Sequence, residues 1–153
     1  MGQGSIIGYE INEKTCQISF YNEKDLEPDT LEVDTDNYQI PLIIGKLRDT
    51  WAYGKEAKRL VTIKDGFTAT RLLSKSLAGD KIEFGEETYD AVWLLSQFIQ
   101  MSLQSFPEID GIVFTVPSLS EEMAQMLRGI AVRMNIDKRN IFIQDYKKSF
   151  CNY

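Results

Sequence analysis

The side chains that could carry chemistry in this sequence are carboxylates, lysines and hydroxyls, together with backbone amides. The chain has 153 residues and no histidine. Without an imidazole it has no histidine general base, no nucleophile paired with histidine, and no metal site with a histidine ligand. Any reaction or ligand must therefore depend on oxygen atoms, ammonium groups or main-chain donors.

The two cysteines, Cys16 and Cys151, stand near opposite ends of the chain. Their separation does not match the spacing of metal ligands, and such sparse cysteine usage is typical of a reduced protein. We therefore expect inert thiols and a cytoplasmic location.

The charge balance is acidic, with 17 lysines and arginines against 23 aspartates and glutamates and a net charge of −6. No cluster of basic residues occurs, so we expect neither a nucleic-acid partner nor a membrane partner. No apolar run approaches the roughly 18–20 residues of a membrane helix. A chain of this length buries one sizeable core, and we expect residues 1–153 to form a single domain.

The first part of the chain predicts an antiparallel group of about three strands. Ser5–Ile11 and Thr15–Tyr21 are rich in β-branched and aromatic residues and flank a short polar turn, which indicates a β-hairpin. Further short strands are expected at Thr30–Val33 and Ile40–Ile44.

The middle of the chain gives weaker signals until residue 86. A short helix is expected over Gly54–Leu60, and Thr62–Gly85 lacks sustained periodicity, so we expect irregular structure there. Apolar residues then recur at spacings of three and four over Glu86–Phe106, which predicts a buried helix.

The last part of the chain predicts a strand, a helix and a second strand. Gly111–Val116 is a continuous apolar run, typical of a central strand. Ser118 and Glu121 have the spacing of a capping box before an amphipathic helix, and a buried strand is expected over residues 141–143. Residues 146–153 are expected to start another helix.

This order of elements predicts an α/β, ribonuclease-H-like fold. Its mixed five-stranded sheet has three antiparallel strands followed by parallel strands, joined by crossover helices, with a right-handed crossover between the last two.

Three segments resemble the nucleotide-binding domain shared by heat-shock chaperones, actin and sugar kinases. Residues 7–15 read I-G-Y-E-I-N-E-K-T, similar to the first phosphate loop of that family, I-G-I-D-L-G-T-T. Ile40-Pro41 with the G-K-E-A-K run from Gly54 resembles the chaperones' T-P-S strand and following helix start. The I-V-F-T-V-P run from Ile112, with the strand ending at Asp145, resembles the chaperones' V-I-T-V-P-A and N-E-P segments.

The resemblance implies an actin-like ATPase domain of the heat-shock-chaperone branch, of which this chain is the first of two lobes. The second lobe is expected beyond Tyr153 and is the chief partner, together with other protein partners. ATP or ADP with Mg²⁺ is the implied cofactor of the full-length protein, and none is expected to bind tightly to this lobe alone.

The family's roles carry over to particular positions. Glu10 and Asp145 match its acidic catalytic residues, which hold Mg²⁺ through bound water. The positions expected to bind nucleotide are Asn12, Glu13, Lys14, Thr15, Thr70 and Arg71.

Departures from the family motif predict little hydrolysis. Asn12, Glu13 and Lys14 replace the glycine and two threonines of the phosphate loop, and Glu13 sets a negative charge against phosphate. Thr70 stands where the family has its catalytic lysine. Because charge stabilisation dominates phosphoryl transfer, we expect weak or no ATP hydrolysis.

Three alternatives stay open on the sequence. The first is a nucleotide-free scaffold or interaction module. The second is a two-metal nuclease with Glu10 as a ligand, although convergent carboxylates and a basic channel are not evident. Glu10 is also explained as a solvated glutamate at a hairpin edge, and Asp145 as a helix N-cap.

Overall fold

The computed structural model describes residues 4–21, 29–30 and 38–146. Its contacts divide the chain into two compact units. The first unit comprises Met1–Asn12, Cys16–Gln39 and Ser105–Tyr153, and the second comprises Glu13–Thr15 and Ile40–Gln104. The expectation that residues 1–153 form one lobe of a larger two-lobe protein stays a prediction.

The described elements follow one another in a mixed α/β order. The strands are β1 (Ser5–Ile11), β2 (Thr15–Tyr21), β3 (Asp29–Thr30), β4 (Gln39–Pro41), β5 (Ile44–Leu47), β6 (Thr50–Tyr53), β7 (Gly66–Ala69), β8 (Lys81–Phe84), β9 (Glu87–Asp90), β10 (Ile109–Val116) and β11 (Ile141–Asp145). The helices are α1 (Lys55–Arg59), α2 (Leu72–Leu77), α3 (Ala91–Ser102) and α4 (Glu121–Arg133). Short 3-10 turns cover Leu60–Thr62 and Lys138–Asn140.

Five strands of the first unit lie in the order β11-β10-β1-β2-β3. β1 pairs with β2, and β2 with β3, in antiparallel fashion. β10 runs parallel to both β1 and β11. The predicted mixed sheet, antiparallel at its start and parallel at its end, is therefore confirmed, although β4 adds a sixth strand to it. The exact bounds of the first hairpin are also confirmed.

Alternation along the central strands places the core of the first unit on one face of the sheet. Ile7 and Tyr9 of β1 and Phe114 of β10 are fully buried, and the rings of Tyr9 and Phe114 meet edge to face with centroids 5.7 Å apart. Leu127 and Ile130 of α4 are also buried. Burying such side chains contributes roughly 1.5–3 kcal/mol each, so this face fixes the register of the sheet.

The second unit contains a three-stranded antiparallel sheet, β6-β5-β7, and the hairpin β8-β9. Helix α3 supplies much of its core through buried residues that recur at helical spacing: Ala91, Leu94, Leu95, Phe98 and Ile99. The predicted short helix after Gly54 is confirmed as α1.

The expectation of irregular structure over Thr62–Gly85 is wrong. This stretch forms β7, α2 and β8. None of the three is longer than six residues. Elements this short do not repeat an apolar period, so pairing with neighbouring strands decides their structure.

Two predicted boundaries shift. The predicted helix Glu86–Phe106 is shorter, because Glu87–Asp90 forms a strand and the helix runs from Ala91 to Ser102. Gly85, at φ 68°, provides the left-handed turn that folds β9 back on β8.

The expected strand Ile40–Ile44 is two strands, β4 and β5, which are separated at residues 42 and 43. The expected strand Thr30–Val33 is described only over Asp29–Thr30, since residues 31–37 lie outside the described part. The helix expected at residues 146–153 is described at Tyr146 alone.

The N-cap of α4 is Ser120 rather than Ser118. The Oγ of Ser120 accepts a hydrogen bond from the backbone N–H of Met123, with an O–N distance of 3.1 Å. The predicted capping box was therefore placed two residues too early, because two serines, Ser118 and Ser120, precede the acidic start of the helix.

We predict that Ser120→Ala lowers the free energy of unfolding by about 1 kcal/mol, since it leaves a backbone donor of α4 without its acceptor. Ser118→Ala is the matched control, and its effect should stay within a few tenths of a kcal/mol. Urea denaturation monitored by circular dichroism measures both. Equal losses in the two variants would contradict the assignment of the cap.

Candidate functional site

A row of four polar side chains crosses the first unit near the carboxyl end of β1. Glu10 aligns with Thr115 on β10 and with Gln17 on β2, and Thr115 aligns with Gln144 on β11. Aligned residues of neighbouring strands lie on the same face of a sheet. We call these four residues, Gln17, Glu10, Thr115 and Gln144, the polar row.

A hydrogen bond joins Thr115 and Gln144, the two members of the polar row on β10 and β11. Gln144 Nε2 donates to Thr115 Oγ1 at 3.0 Å, and both side chains are half-buried. Glu10 is exposed beside them. The row therefore offers a solvent-facing carboxylate next to a fixed hydroxyl and amide.

A small cavity opens at this end of the sheet. Its volume is about 190 Å³, and its lining residues are Glu10, Ile11, Asn12, Thr115, Val116, Pro117 and Tyr146. Pockets for whole small molecules usually measure roughly 300–1,000 Å³. By volume the cavity admits a group the size of a phosphate and is too small for a whole nucleotide.

Asp145 lies one residue farther along and on the other face of the sheet. It aligns with the buried Val116, and its Oδ2 accepts a hydrogen bond from the backbone N–H of Leu119 at 2.9 Å. This bond fastens the loop between β10 and α4 to the end of β11. The joint role in holding Mg²⁺ that the family resemblance implies for Glu10 and Asp145 stays a prediction.

The other predicted binding residues divide between the two units. Asn12 lies in the first unit with Glu10, whereas Glu13, Lys14 and Thr15 belong to the second unit. Within that unit, Ser74 Oγ donates to Glu13 Oε2 at 3.1 Å. The carbonyl of Lys14 accepts a hydrogen bond from the backbone N–H of Leu42 at 2.8 Å.

We call residues 68–74, which include Thr70 at the position of the family's lysine, the lysine segment. Through Ser74 it lies beside Glu13. Thr70 is exposed, and Arg71 adopts a left-handed backbone conformation at φ 53° directly before α2. The carbonyl of Arg71 is also 3.3 Å from Ser74 Oγ. Nucleotide contacts by Thr70 and Arg71 stay a prediction.

Sequence reasoning missed three members of the polar row and the serine that binds Glu13. Thr115 was expected only to shape the core, and Gln17 and Gln144 carried no assigned role. They follow only from the register of β1 with β2 and β10, and of β10 with β11, which no local pattern in the sequence gives. Ser74 belongs to the matched lysine segment, but no local pattern indicated its bond to Glu13.

Carboxylates and thiols do not converge on a metal in the part of the chain that the structure describes. Among residues 4–21, 29–30 and 38–146, no group of three such side chains could hold an ion. A single carboxylate is nevertheless sufficient for Mg²⁺ that arrives with a phosphate, because this ion keeps several of its waters. The role of Glu10 in holding Mg²⁺ stays a prediction, and these described residues do not form the carboxylate cluster that a two-metal nuclease requires.

The buried thiol of Cys16 is not a reactive group. Its Sγ is 3.6 Å from the hydroxyl of Tyr9, to which it donates. Burial raises the pKa of Cys16 from 9.0 to about 12, and the hydrogen bond with Tyr9 opposes this rise. The thiol therefore stays protonated at neutral pH, as expected of an inert cysteine. Cys151 lies outside the described residues.

Residues 27–153 match the C-terminal part of a family described as a family of unknown function, DUF5716. The chain belongs to this family. No curated protein matches the chain.

Among solved structures, the DUF5716 chain is similar to MamK, in a non-polymerising mutant bound to AMPPNP. The identity is 11% and the TM-score 0.64. The match covers 95% of this chain and 42% of the MamK chain, so the chain spans less than half of that protein. At this identity the likeness shows the fold alone, which is actin-like.

None of the helices in the described residues is long and apolar enough to cross a membrane.

We predict that Cys16 reacts with a thiol reagent at pH 8 only after unfolding. The test uses the Cys151→Ser background, so that Cys16 is the sole thiol. In guanidinium chloride one thiol per chain should react with the reagent. Over the same time the native protein should stay unlabelled. Rapid labelling of the native protein would contradict the protected thiol.

The raised pKa of the Cys16 thiol makes the free energy of unfolding depend on pH. Between pH 9 and 12 the unfolded chain loses the thiol proton and the folded chain keeps it, so the free energy of unfolding falls as pH rises through this range. A Cys16→Ala variant should show a smaller fall than its parent.

Proposed function

We propose that this chain is the first lobe of a divergent, heat-shock-chaperone-like ATPase domain of ribonuclease-H-like topology. In the full-length protein it binds the phosphate end of Mg²⁺·ATP or Mg²⁺·ADP at the cavity beside the polar row. The observation that carries the proposal is the position of Glu10, an exposed carboxylate at the carboxyl end of the first strand of an actin-like fold.

Glu10 would act through the waters of Mg²⁺. Mg²⁺ in nucleotide sites is held by one or two carboxylates and by the phosphates themselves, and it keeps several waters. Thr115, fixed by Gln144 at 3.0 Å, would hold one of those waters or a phosphate oxygen at the cavity wall. Mg²⁺ would supply charge neutralisation for the phosphates, while these side chains orient its hydration shell.

The size of the cavity supports binding that needs a second lobe. At about 190 Å³ it takes the phosphate end, and the sugar and base require surfaces elsewhere. We therefore expect this lobe alone to bind nucleotide weakly or not at all. A cytoplasmic location is part of the proposal, since nucleotide sites require intracellular ATP.

Weak hydrolysis follows from the charges carried by the motif positions. Thr70 provides no cation where the family has its lysine, and Glu13 adds a negative charge to the loop. Removing one donor or cation that stabilises a transition state typically lowers the rate by 10²–10³, so turnover should be slow even in the full-length protein.

A second candidate is a nucleotide-free scaffold or protein-interaction module. The hydrogen bond from Ser74 to Glu13 favours it. This bond holds a carboxylate in the loop that resembles the phosphate loop, and a fixed carboxylate repels phosphate.

Titration calorimetry of the full-length protein with Mg²⁺·ATP tests the first proposal. We predict saturable, Mg²⁺-dependent binding that Glu10→Ala weakens about tenfold, because a hydrogen bond to a charged group contributes roughly 1.5–3 kcal/mol. Glu108→Ala, which removes an exposed carboxylate before β10, is the matched control and should leave the affinity unchanged.

Glu13→Gly separates the two candidates. Absence of binding in the wild-type protein together with binding in Glu13→Gly would identify a scaffold whose loop is blocked by its own carboxylate. Absence of binding in both would contradict a phosphate site at this loop. Binding in the wild-type protein that Glu10→Ala leaves unchanged would overturn the role given to Glu10.

A further inference from the structure

The second unit holds a cluster of stacked and crossed aromatic rings. Its members in contact are Trp51, Phe67, Phe84, Tyr89 and Trp93, with centroid separations of 5.2–6.2 Å between neighbours. Phe84 at the centre is buried, whereas Phe67 is 38% exposed and Trp93 42% exposed. Rings of this size in soluble proteins are mostly covered, so the open ends of the cluster need an explanation.

The cluster already binds one cation of its own chain. Lys46 Nζ lies 5.2 Å from the centre of the Trp51 ring and 5.7 Å from that of Tyr89. It donates hydrogen bonds to Glu87 Oε1 at 3.0 Å and to the Tyr89 hydroxyl at 3.1 Å. With a side chain only 12% exposed, Lys46 shows that these rings and their carboxylate together hold an ammonium group.

Trp93 offers the same chemistry on the outside of the unit. Its ring stacks on Tyr89 with an interplanar angle of 18° and also contacts Trp51, so its position is fixed in advance. Asp90, at the N-cap of α3, is exposed three residues before Trp93, and these two positions are neighbours at a helix start. A rigid, exposed ring next to a carboxylate binds cations at low entropic cost.

The surrounding charge is complementary to a basic partner. The β8-β9 hairpin carries four carboxylates, Glu83, Glu86, Glu87 and Asp90, against one lysine, Lys81. Lys81 lies across from Asp90, and Glu87 is already paired with Lys46. Glu83 aligns with Thr88, and Glu86 lies in the turn, so these two carboxylates leave the hairpin with an excess of negative charge. Such a charge repels nucleic acid and attracts lysine or arginine.

We propose that the surface formed by Tyr89 and Trp93, with the carboxylate of Asp90 three residues before Trp93, docks a lysine- or arginine-bearing segment of a partner protein. A side-chain cation of the partner stacks on the exposed face of Trp93 and pairs with Asp90. Tryptophan, tyrosine and arginine are the residues that most often dominate such contacts. This inference does not depend on nucleotide binding.

Fluorescence anisotropy of a labelled hexa-arginine peptide tests the proposal on the full chain. We expect saturable binding that weakens as salt is raised, about a tenfold loss of affinity in Trp93→Ala, and a smaller loss in Asp90→Asn. Leu77→Ala is the matched control, since Leu77 is equally exposed in the same unit and lies outside the ring cluster. A hexa-glutamate peptide should not bind.

Folding of the variants is checked by circular dichroism, and Trp93→Phe provides a milder change that keeps an aromatic ring. Affinity for hexa-arginine that is equal in wild type, Trp93→Ala and Leu77→Ala would overturn the proposal, as would absence of saturable binding. Concentration-dependent dimerisation that Trp93→Ala abolishes, without peptide binding, would instead assign the surface to a second copy of the chain.

Discussion

The parallel pairing of β1 with β10 is the constraint on which the rest of the first unit depends. It joins the start of the chain to a strand about a hundred residues later, with Tyr9 opposite Phe114 and Glu10 opposite Thr115. Side chains alternate between the faces of a strand, so the burial of Tyr9 and Phe114 in the core directs Glu10 and Thr115 to the other face. A slip of one residue would exchange the two sets and remove both the core and the polar row.

The length and period of each segment decided how well its structure could be predicted from the sequence. Long segments with a clear period were predicted well, such as the first hairpin and the strand ending at Val116, because local pattern and tertiary packing agree there. The region from residue 62 to residue 85 was not, since its strands and helix are too short to show a period. Strand β7, for example, pairs with β5, which precedes it in the sequence by more than a local motif spans.

The candidate site divides in the same way. Glu10 and Asp145 were predicted from motifs, which record residue type but not the face on which a side chain lies. The register places them on opposite faces, and the contact of Asp145 with the N–H of Leu119 gives it a structural role at the loop before α4. Gln17, Thr115 and Gln144 became visible only through pairing between strands. The fold is actin-like, while any chemistry depends on the particular residues in the row.

We expect the cavity beside Glu10 and Thr115 to bind the metal and phosphate end of a nucleotide. Amide NMR of the full-length protein with Mn²⁺·AMPPNP measures this binding at the level of single residues. Paramagnetic Mn²⁺ broadens the resonances of nearby nuclei. We predict that the strongest broadening falls on the backbone amides of Glu10, Asn12 and Thr115 and on the side-chain amide of Gln144. Mg²⁺·AMPPNP should shift these resonances without broadening them. Broadening centred on other residues, or no broadening at saturating nucleotide, would contradict a metal and phosphate site beside Glu10.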